Sequence, residues 1–183
     1  MTRIIAGRLR GRRLRVPDEG TRPTSDRVRE SLFNLLAARF GLEGLWVLDL
    51  YAGSGALGIE AISRGAAGAT FVDSNRRAVA TIASNLKACG ISAEAMVATR
   101  TVSAYLSSPP ERRFDLVFSD PPYALGADRV ADDLGLLLPR LADGALVVVE
   151  RASRTSGDVW PPGFDVIADK SYGDTRVEVG LRV

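Results

Sequence analysis

Two hydrophobic patterns alternate along most of the chain. Short apolar runs predict buried β-strands at residues 45–50, 69–72, 94–98, 114–118 and 145–149. The segments between these runs predict helices at residues 56–64, 76–88, 102–106 and 127–141. We expect Pro139 to disturb the last helix, because proline removes a backbone donor. Strands that alternate with helices indicate an α/β fold, in which a parallel sheet is covered by helices on both faces.

The two ends of the chain depart from this alternation. Residues 4–6 and 14–16 flank a glycine-containing turn and predict a small β-hairpin that ends at Pro17. Thr24 and Ser25 are candidate N-caps for a helix over residues 26–39. Residues 165–168 and 176–183 alternate in polarity, which predicts a closing antiparallel pair of strands.

Composition excludes several kinds of chemistry. A length of 183 residues with 46% hydrophobic content fits one globular domain. No apolar run approaches the roughly 20 residues of a membrane span, and no signal-peptide core follows the N-terminal arginines, so we expect a cytoplasmic protein. The chain has no histidine and a single cysteine, Cys89, which excludes a Ser-His-Asp triad and a Cys-x-x-Cys zinc site. We therefore predict no metal and expect a cofactor, carboxylates or backbone groups to carry the chemistry.

Basic residues concentrate at the N-terminus. The first 15 residues hold six arginines and no acid, whereas the remaining 168 hold 18 basic and 22 acidic residues, a formal charge of −4. A basic arm on a mildly acidic body indicates a polyanionic partner such as a nucleic acid. We therefore divide the chain into a basic N-terminal hairpin or arm, residues 1–24, and a domain over residues 25–183.

A glycine-rich loop joins the first predicted strand of the domain to its first helix. Gly53, Gly55 and Gly58 fit the Gly-x-Gly-x-x-Gly pattern, and Asp73 closes the next strand about 20 residues on, where an acid can bind ribose hydroxyls. This pattern alone is compatible with either NAD or S-adenosylmethionine as the ligand. Asp49 favours S-adenosylmethionine, because a carboxylate at the mouth of the loop complements a sulfonium and an ammonium and repels a pyrophosphate. The alternative is that Asp49 only organises the loop.

The residues that we predict to contact the cofactor come from this loop and from the ends of the next two strands. They are Asp49, Tyr51, Ala52, Gly53, Ser54, Gly55, Gly58, Asp73, Ser74, Arg100 and Thr101.

Asp120-Pro121-Pro122-Tyr123 follows the fourth predicted strand of the domain. An exocyclic amine on a base is a poor nucleophile, because its lone pair is delocalised into the ring. The Asp120 carboxylate and the Pro121 carbonyl can hold its two hydrogens so that the lone pair faces a methyl donor. Pro122 stiffens the loop, and Tyr123 can stack on the base. We predict these four residues to be catalytic; a Pro-Pro turn that merely closes a strand is the alternative.

A base inside a duplex cannot reach such a pocket, so the substrate must be unpaired or flipped out, as in structured RNA loops. Arginine side chains can then grip the phosphates. The residues that we predict to contact RNA are Arg3, Arg8, Arg10, Arg12, Arg13, Arg15, Arg22, Thr24, Arg27 and Arg29.

These motifs together resemble the RsmD-type 16S ribosomal RNA (guanine-N2)-methyltransferases, a bacterial family of class I Rossmann-fold enzymes. The matching segments are residues 3–7, 22–34, 49–61, 64–66 and 120–123. Residues 22–34 are the most specific to this family, whereas the glycine loop and Asp120-Pro121-Pro122-Tyr123 are shared with many amino-methyltransferases. One position departs from related enzymes, since residues 99–101 offer no carboxylate to the cofactor's adenine amine.

The resemblance implies a Rossmann-like, seven-stranded, mostly parallel sheet whose last strand is antiparallel. It also implies S-adenosylmethionine as the cofactor and N2 methylation of one guanine of 16S rRNA, in an assembled small-subunit particle rather than in free RNA. We expect a monomer.

Three other functions fit parts of the pattern. One is an amino-methyltransferase acting on adenine or cytosine in DNA or on a protein glutamine, although 183 residues leave little room for a DNA-recognition domain. Another is a non-catalytic ribosome assembly factor, which the intact motifs disfavour. An NAD oxidoreductase has no use for Asp120-Pro121-Pro122-Tyr123.

Overall fold

The computed structural model describes residues 1–17, 25–155 and 157–183. The hairpin strands are β1 (Thr2–Arg3) and β2 (Arg13–Leu14). The helices are α1 (Asp26–Phe40), α2 (Ala56–Ser63), α3 (Arg76–Cys89), α4 (Val102–Leu106) and α5 (Ala127–Leu137). The remaining strands are β3 (Trp46–Leu50), β4 (Gly68–Asp73), β5 (Ala95–Thr99), β6 (Phe114–Ser119), β7 (Leu141–Ala152), β8 (Phe164–Tyr172) and β9 (Thr175–Arg182). Among the described residues, no helix has the length and apolar character of a membrane span.

The main sheet has seven strands in the order β5-β4-β3-β6-β7-β9-β8. The first five of these are mutually parallel, and β9 runs antiparallel to both β7 and β8. This confirms the predicted Rossmann-like sheet with an antiparallel last strand. The strand order reverses at β3, with β4 and β5 on one side and β6 and β7 on the other. In open α/β sheets the crevice at such a switch point is where ligands bind.

Helices cover both faces of the sheet, as the alternation of strands and helices predicted. Val47, Leu116 and Leu146 point to the face on which α1, α2 and α3 pack. Their chain neighbours Leu48, Val117 and Val147 point to the opposite face, against α4 and α5. Because both faces of these strands are buried, their sequences are continuous apolar runs.

The last helix and the strand after it differ from the sequence prediction. The α-helix ends at Leu137, and one 3-10 turn (Leu138–Arg140) containing Pro139 leads directly into β7. The strand therefore begins at Leu141 rather than at residue 145. Its pairing with β6 shifts register between Phe114 and Leu116, which accommodates the extra residues.

The N-terminal hairpin packs on α2. The predicted hairpin forms, but Ile5 and Ala6 leave the β-ladder because their amides donate to the Glu60 carboxylate, at 2.8 and 3.0 Å. The Ser63 hydroxyl donates to the Ala6 carbonyl at 2.6 Å. Glu60 is fully buried and also pairs with Arg64, with a distance of 2.7 Å from Nε to Oε1. The face of α2 that points away from the sheet is thus a docking surface for the N-terminal extension.

Apolar contacts complete this attachment. Ile4, Leu9 and Leu14 are all buried in the same core cluster as the residues of α1, α2 and α3. Residues 1–17 are therefore integrated into the packing of the domain. The boundary that we place at residue 24 lies outside the described residues and stays a prediction.

The prediction that Arg29 contacts RNA is wrong, since its side chain is only 1% exposed. Its guanidinium donates to the Thr2 hydroxyl at 3.0 Å, to the Arg3 carbonyl at 2.5 Å and to the Asp26 carboxylate at 2.8 Å. Burial lowers the pKa of the Arg29 guanidinium. Arg29 fastens α1 to β1, and an arginine with this role cannot reach a phosphate.

Two other residues predicted to contact RNA, Arg22 and Thr24, lie outside the described residues. Of the two candidate N-caps of α1, Ser25 fills the position, and its hydroxyl accepts the Val28 amide at 3.3 Å.

Replacing the buried carboxylate that holds the hairpin should be strongly destabilising. Glu60→Ala removes the acceptor of two backbone amides and leaves Arg64 without its partner, so we expect the free energy of unfolding to fall by about 3 kcal/mol or more. Urea unfolding followed by circular dichroism measures this change. Glu30→Ala, at an exposed position of α1, should alter stability by no more than about 0.5 kcal/mol. Equal small effects of both substitutions would contradict a stabilising role for hairpin docking.

Candidate active site

Sheet pairing brings three predicted segments to one edge. The strand β3 lies between β4 and β6, with Leu50 paired to Val72 on one side and to Ser119 on the other. All three strands run in the same direction. Their carboxyl ends therefore place the glycine loop, Asp73 and Asp120 side by side at the switch point.

The glycine loop turns sharply as it leaves β3. The Ala52 amide donates to the Val72 carbonyl at 3.1 Å, and the Gly55 amide donates to the Ala52 carbonyl at 2.7 Å. Gly55 caps α2 in the left-handed region, with φ of 76° and ψ of 14°, a conformation that favours glycine. Tyr51 also has a positive φ, 57°, which is uncommon for a residue with a side chain.

Asp49 lies beneath the loop and is 1% exposed. Its Oδ2 accepts the Gly58 amide at 2.9 Å. A Cβ atom at Gly58 would stand 2.4 Å from Cε1 of Phe71 and 3.2 Å from Oδ2 of Asp49, so only glycine fits there. The carboxylate therefore organises the loop, which is the alternative left open by the sequence. Its contact with the cofactor stays a prediction.

Burial dominates the electrostatics of Asp49. It raises the pKa of this carboxyl group to about 8, against the opposing effect of the Gly58 hydrogen bond. The nearby charge of Asp73 raises this pKa further. A positive group placed above the loop would favour the ionised form of Asp49.

Asp73 joins the glycine loop to the start of α3. Its Oδ2 accepts the Gly53 amide at 2.9 Å, and its Oδ1 accepts the Asn75 amide at 2.8 Å. A carboxylate offers about four acceptor positions, so these two bonds leave capacity for two ribose hydroxyls. Ser74, beside it, is exposed at the same edge.

Arg100 and Thr101 follow the carboxyl end of β5 and therefore reach this edge too. The Arg100 amide donates to the Asp73 carbonyl at 3.1 Å. The Thr101 hydroxyl caps α4 by accepting the Ala104 amide at 3.2 Å. Both residues are exposed, and the backbone here lies next to the acid that ends β4.

Asp120-Pro121-Pro122-Tyr123 leaves the end of β6, adjacent to Tyr51. Asp120 is half-buried and Pro121 is buried, whereas Pro122 is exposed and its carbonyl accepts the Leu125 amide at 2.8 Å. Tyr123 is 44% exposed, and its hydroxyl lies 3.3 Å from Oγ1 of Thr175 on β9. A half-buried carboxylate and an exposed aromatic ring thus lie in the same short loop at this edge.

One residue missed by sequence reasoning is Asn85, which connects the loop to the hairpin. Asn85 is 2% exposed; its Nδ2 donates to the carbonyls of Ser54 and Arg15, both at 2.9 Å, and its Oδ1 accepts the Arg15 amide at 2.9 Å. The only available signal was an amide residue beside the apolar positions Ile82 and Leu86 of α3.

A second residue missed by sequence reasoning is Asp133 on α5. It is 4% exposed, and its Oδ2 accepts the Tyr51 hydroxyl at 2.6 Å. Its Oδ1 has no hydrogen-bond partner within the described part of the chain. Burial raises the pKa of Asp133 and, together with this hydrogen bond, that of Tyr51. This contact ties the Tyr51 side chain to α5. In the sequence, Asp133 looks like one of the polar residues expected on the exposed face of α5, so the pattern does not predict its contact with Tyr51.

Within residues 1–17, 25–155 and 157–183, no three His, Cys, Asp or Glu side chains are grouped so that they could hold a metal ion. The donor set instead fits S-adenosylmethionine: a buried carboxylate beneath a glycine turn, and a second carboxylate with acceptor capacity for ribose. Sheet topology, loop and motifs define a class I S-adenosylmethionine-dependent methyltransferase. Residues 2–180 match the family described as "Conserved hypothetical protein 95", and the chain belongs to this family.

Similar proteins agree with this class. The chain is 38% identical to ribosomal RNA small subunit methyltransferase D of Escherichia coli K12 over 183 residues. This match covers 98% of the chain and 89% of the relative. The protein of the same name from Haemophilus influenzae is 36% identical over 174 residues, or 93% and 89% of the two chains. A solved structure of the candidate methyltransferase yhhF from Escherichia coli superposes with a TM-score of 0.85 at 37% identity, covering 99% and 97% of the chains. The resemblance to the RsmD-type family is confirmed.

Asp49→Asn should change how stability depends on pH. Because the folded-state pKa of Asp49 is raised to about 8 from 3.8, its contribution to stability is fully present below pH 3.8 and is lost as the pH rises through the folded value. The Asn variant cannot ionise and keeps an acceptor for Gly58. Relative to the wild type, it should therefore gain about 1 kcal/mol of stability per pH unit between about pH 5 and pH 8. Urea unfolding without cofactor over this range measures the difference; a pH-independent difference would contradict the raised pKa.

Proposed function

We propose that this chain transfers a methyl group from S-adenosylmethionine to the exocyclic N2 amine of a guanine in 16S rRNA of the small ribosomal subunit. The observation that carries the proposal is the meeting of the glycine loop and Asp120-Pro121-Pro122-Tyr123 at one switch point. Relatives named ribosomal RNA small subunit methyltransferase D support the choice of substrate. The proposal includes an assembled small-subunit particle as the substrate and a monomeric, cytoplasmic enzyme.

The cofactor supplies an electrophilic methyl group on a sulfonium. We assign its binding to the loop residues 51–55, to Gly58 and to the two acids Asp49 and Asp73. Asp73 would accept the ribose hydroxyls, and Asp49 would add negative charge beneath the cationic end. Ser74 and the backbone at Arg100 and Thr101 would border the adenine.

The catalytic task of the chain is to prepare the amine. The Asp120 carboxylate and the Pro121 carbonyl would accept the two N2 hydrogens, which directs the nitrogen lone pair towards the methyl group. As the N–C bond forms and the C–S bond breaks, the nitrogen must lose one proton. We assign the acceptance of this proton to the Asp120 carboxylate, which would already bond one of the N2 hydrogens. Tyr123 would stack on the guanine and hold it in the plane that these bonds require.

The hairpin would bind the RNA backbone through its exposed arginines. These are Arg3, Arg8, Arg10, Arg12, Arg13 and Arg15, joined by Arg27 on α1. Two of them make exposed ion pairs, Arg3 with Asp26 at 3.4 Å and Arg8 with Glu94 at 3.0 Å. Exposed pairs of this kind contribute little to stability, so both guanidiniums can exchange their partner for a phosphate.

The direct test is methyl transfer from labelled S-adenosylmethionine to small subunits that lack the modification, followed by mass spectrometry of the nucleosides. We expect N2-methylguanosine in 16S rRNA, and a faster reaction with assembled subunits than with naked RNA. Label in adenine, in cytosine or in a protein glutamine would overturn the proposed substrate. Cofactor binding with no transfer to any of these acceptors would favour the assembly-factor function instead.

Asp120→Ala should abolish most turnover while leaving cofactor binding intact. Loss of the carboxylate removes an acceptor that orients the amine, and we expect a fall in kcat of about 100-fold or more. Isothermal titration should give an unchanged affinity for S-adenosylmethionine. Asp128→Ala, at an exposed position in the first turn of α5, is the matched control and should keep full activity. An unchanged rate for Asp120→Ala would remove Asp120 from the mechanism.

Tyr123→Ala should weaken binding of the RNA substrate by about 1–3 kcal/mol, the contribution of one stacked base. Tyr123→Phe retains the ring and loses only a hydroxyl contact that is long at 3.3 Å, so its effect should be small. The KM for small subunits, measured at saturating cofactor, separates the two variants. If Phe impairs the enzyme as severely as Ala, the hydroxyl is the functional group and stacking is the wrong role.

A further inference from the structure

A wide cavity lies between the hairpin and α3, outside the site described above. Its volume is about 870 Å³. The end of the hairpin forms one wall, and the first turns of α3 form the other. We call this cavity the basic groove, after the three arginines among its described lining residues, which are Arg15, Arg76 and Arg77.

Positive charge is the main chemical property of the basic groove. All three arginines are exposed. The charge comes from the guanidiniums and not from open amides at the start of α3, because the Asn75 side chain accepts the Arg77 amide at 2.8 Å and the Ala78 amide at 3.4 Å. Arg76 and Arg77 lie far along the chain from the hairpin, and only the fold brings them beside Arg15.

Hydrogen bonds fix the basic groove relative to the glycine loop. Asn85 holds the backbone of Arg15 and the carbonyl of Ser54 at the same time. Asp73 similarly bonds the amides of Gly53 in the loop and Asn75 at the start of α3. The groove therefore adjoins the loop on the β4 side, whereas Tyr123 adjoins it on the β6 side.

We propose that the basic groove binds backbone phosphates of the substrate RNA close to the modified nucleotide. Guanidiniums pair with phosphate oxygens through two parallel hydrogen bonds, and three of them around an open groove suit a phosphodiester chain. The groove and Tyr123 flank the glycine loop, so an RNA segment held at both places is positioned across the methyl-transfer site. This inference rests on the proposed function and adds Arg76 and Arg77 to the residues expected from sequence.

The test compares full-length Arg76→Gln/Arg77→Gln with the wild type in binding to unmodified small subunits over a range of KCl concentrations. Each lost phosphate contact lowers the slope of log K against log salt by about 0.7–0.9, so we expect the slope to fall by about 1.5 and the affinity at low salt to fall roughly tenfold or more. The affinity for S-adenosylmethionine, measured by isothermal titration, should not change.

Arg39→Gln/Arg113→Gln is the matched control. It removes the same charge from two exposed positions, near the end of α1 and just before β6, towards the opposite edge of the sheet. The control should keep the wild-type salt slope. Equal losses in both double variants would overturn the groove in favour of a general charge effect. An unchanged slope in Arg76→Gln/Arg77→Gln would overturn it directly.

Three further outcomes separate the groove from other assignments. If Arg76→Gln/Arg77→Gln loses cofactor affinity while RNA binding is retained, the groove belongs to the cofactor site and the proposal fails. If Arg76→Gln/Arg77→Gln shows the expected fall in salt slope but the wild-type enzyme labels no guanine, the proposed methylation fails while the groove stands. If the wild-type enzyme methylates guanine but the variant keeps the wild-type salt slope, the groove fails while the proposed methylation stands.

Discussion

Parallel pairing of β3 with both β4 and β6 is the constraint on which the active site depends. Each strand contributes one functional segment at its carboxyl end, and backbone hydrogen bonds fix the strands side by side. The glycine loop, Asp73 and Asp120 therefore converge at one edge of the sheet. Two buried acids then shape the loop: Asp49 binds an amide of α2 from below, and Asp133 holds Tyr51 from α5.

The helix α2 serves the cofactor loop and the N-terminal extension at once. Its first turn closes the glycine loop through Gly58, and one turn further on Glu60 and Ser63 bind the backbone of the hairpin. Asn85 makes a second connection between the same two parts. The cofactor loop and the hairpin are thus linked by hydrogen bonds through both α2 and Asn85.

Arginine, which supplies 22 of the 24 basic residues, has two different roles in this protein. Arg29, Arg140 and Arg151 are buried and satisfy backbone carbonyls or carboxylates; Arg151 pairs with Glu178 at 2.7 Å. The hairpin arginines and those of the basic groove are exposed and face solvent. Charge counted along the sequence cannot separate these roles, because burial depends on what the fold places around each side chain.

Features under local physical control could be predicted from the amino-acid sequence. Apolar runs located the strands, and glycine spacing located the loop. The Asp120-Pro121-Pro122-Tyr123 motif predicted the other half of the candidate site, because the stiffness of two prolines is a local property. These signals, with the family resemblance, were sufficient for the fold class and the cofactor.

Features that depend on partners distant along the chain emerge only from the fold. Arg29 is buried because Thr2 and Arg3 lie above it. The amides of residues 5 and 6 bond to Glu60 instead of to a neighbouring strand, and the Tyr51 hydroxyl finds its acceptor on α5. Asn85 connects the loop to the hairpin because α3 lies beside the hairpin, and that placement depends on the fold. In each case a buried polar group must find its hydrogen-bond partner within the fold, and hydrophobic periodicity carries no information about which partner that is.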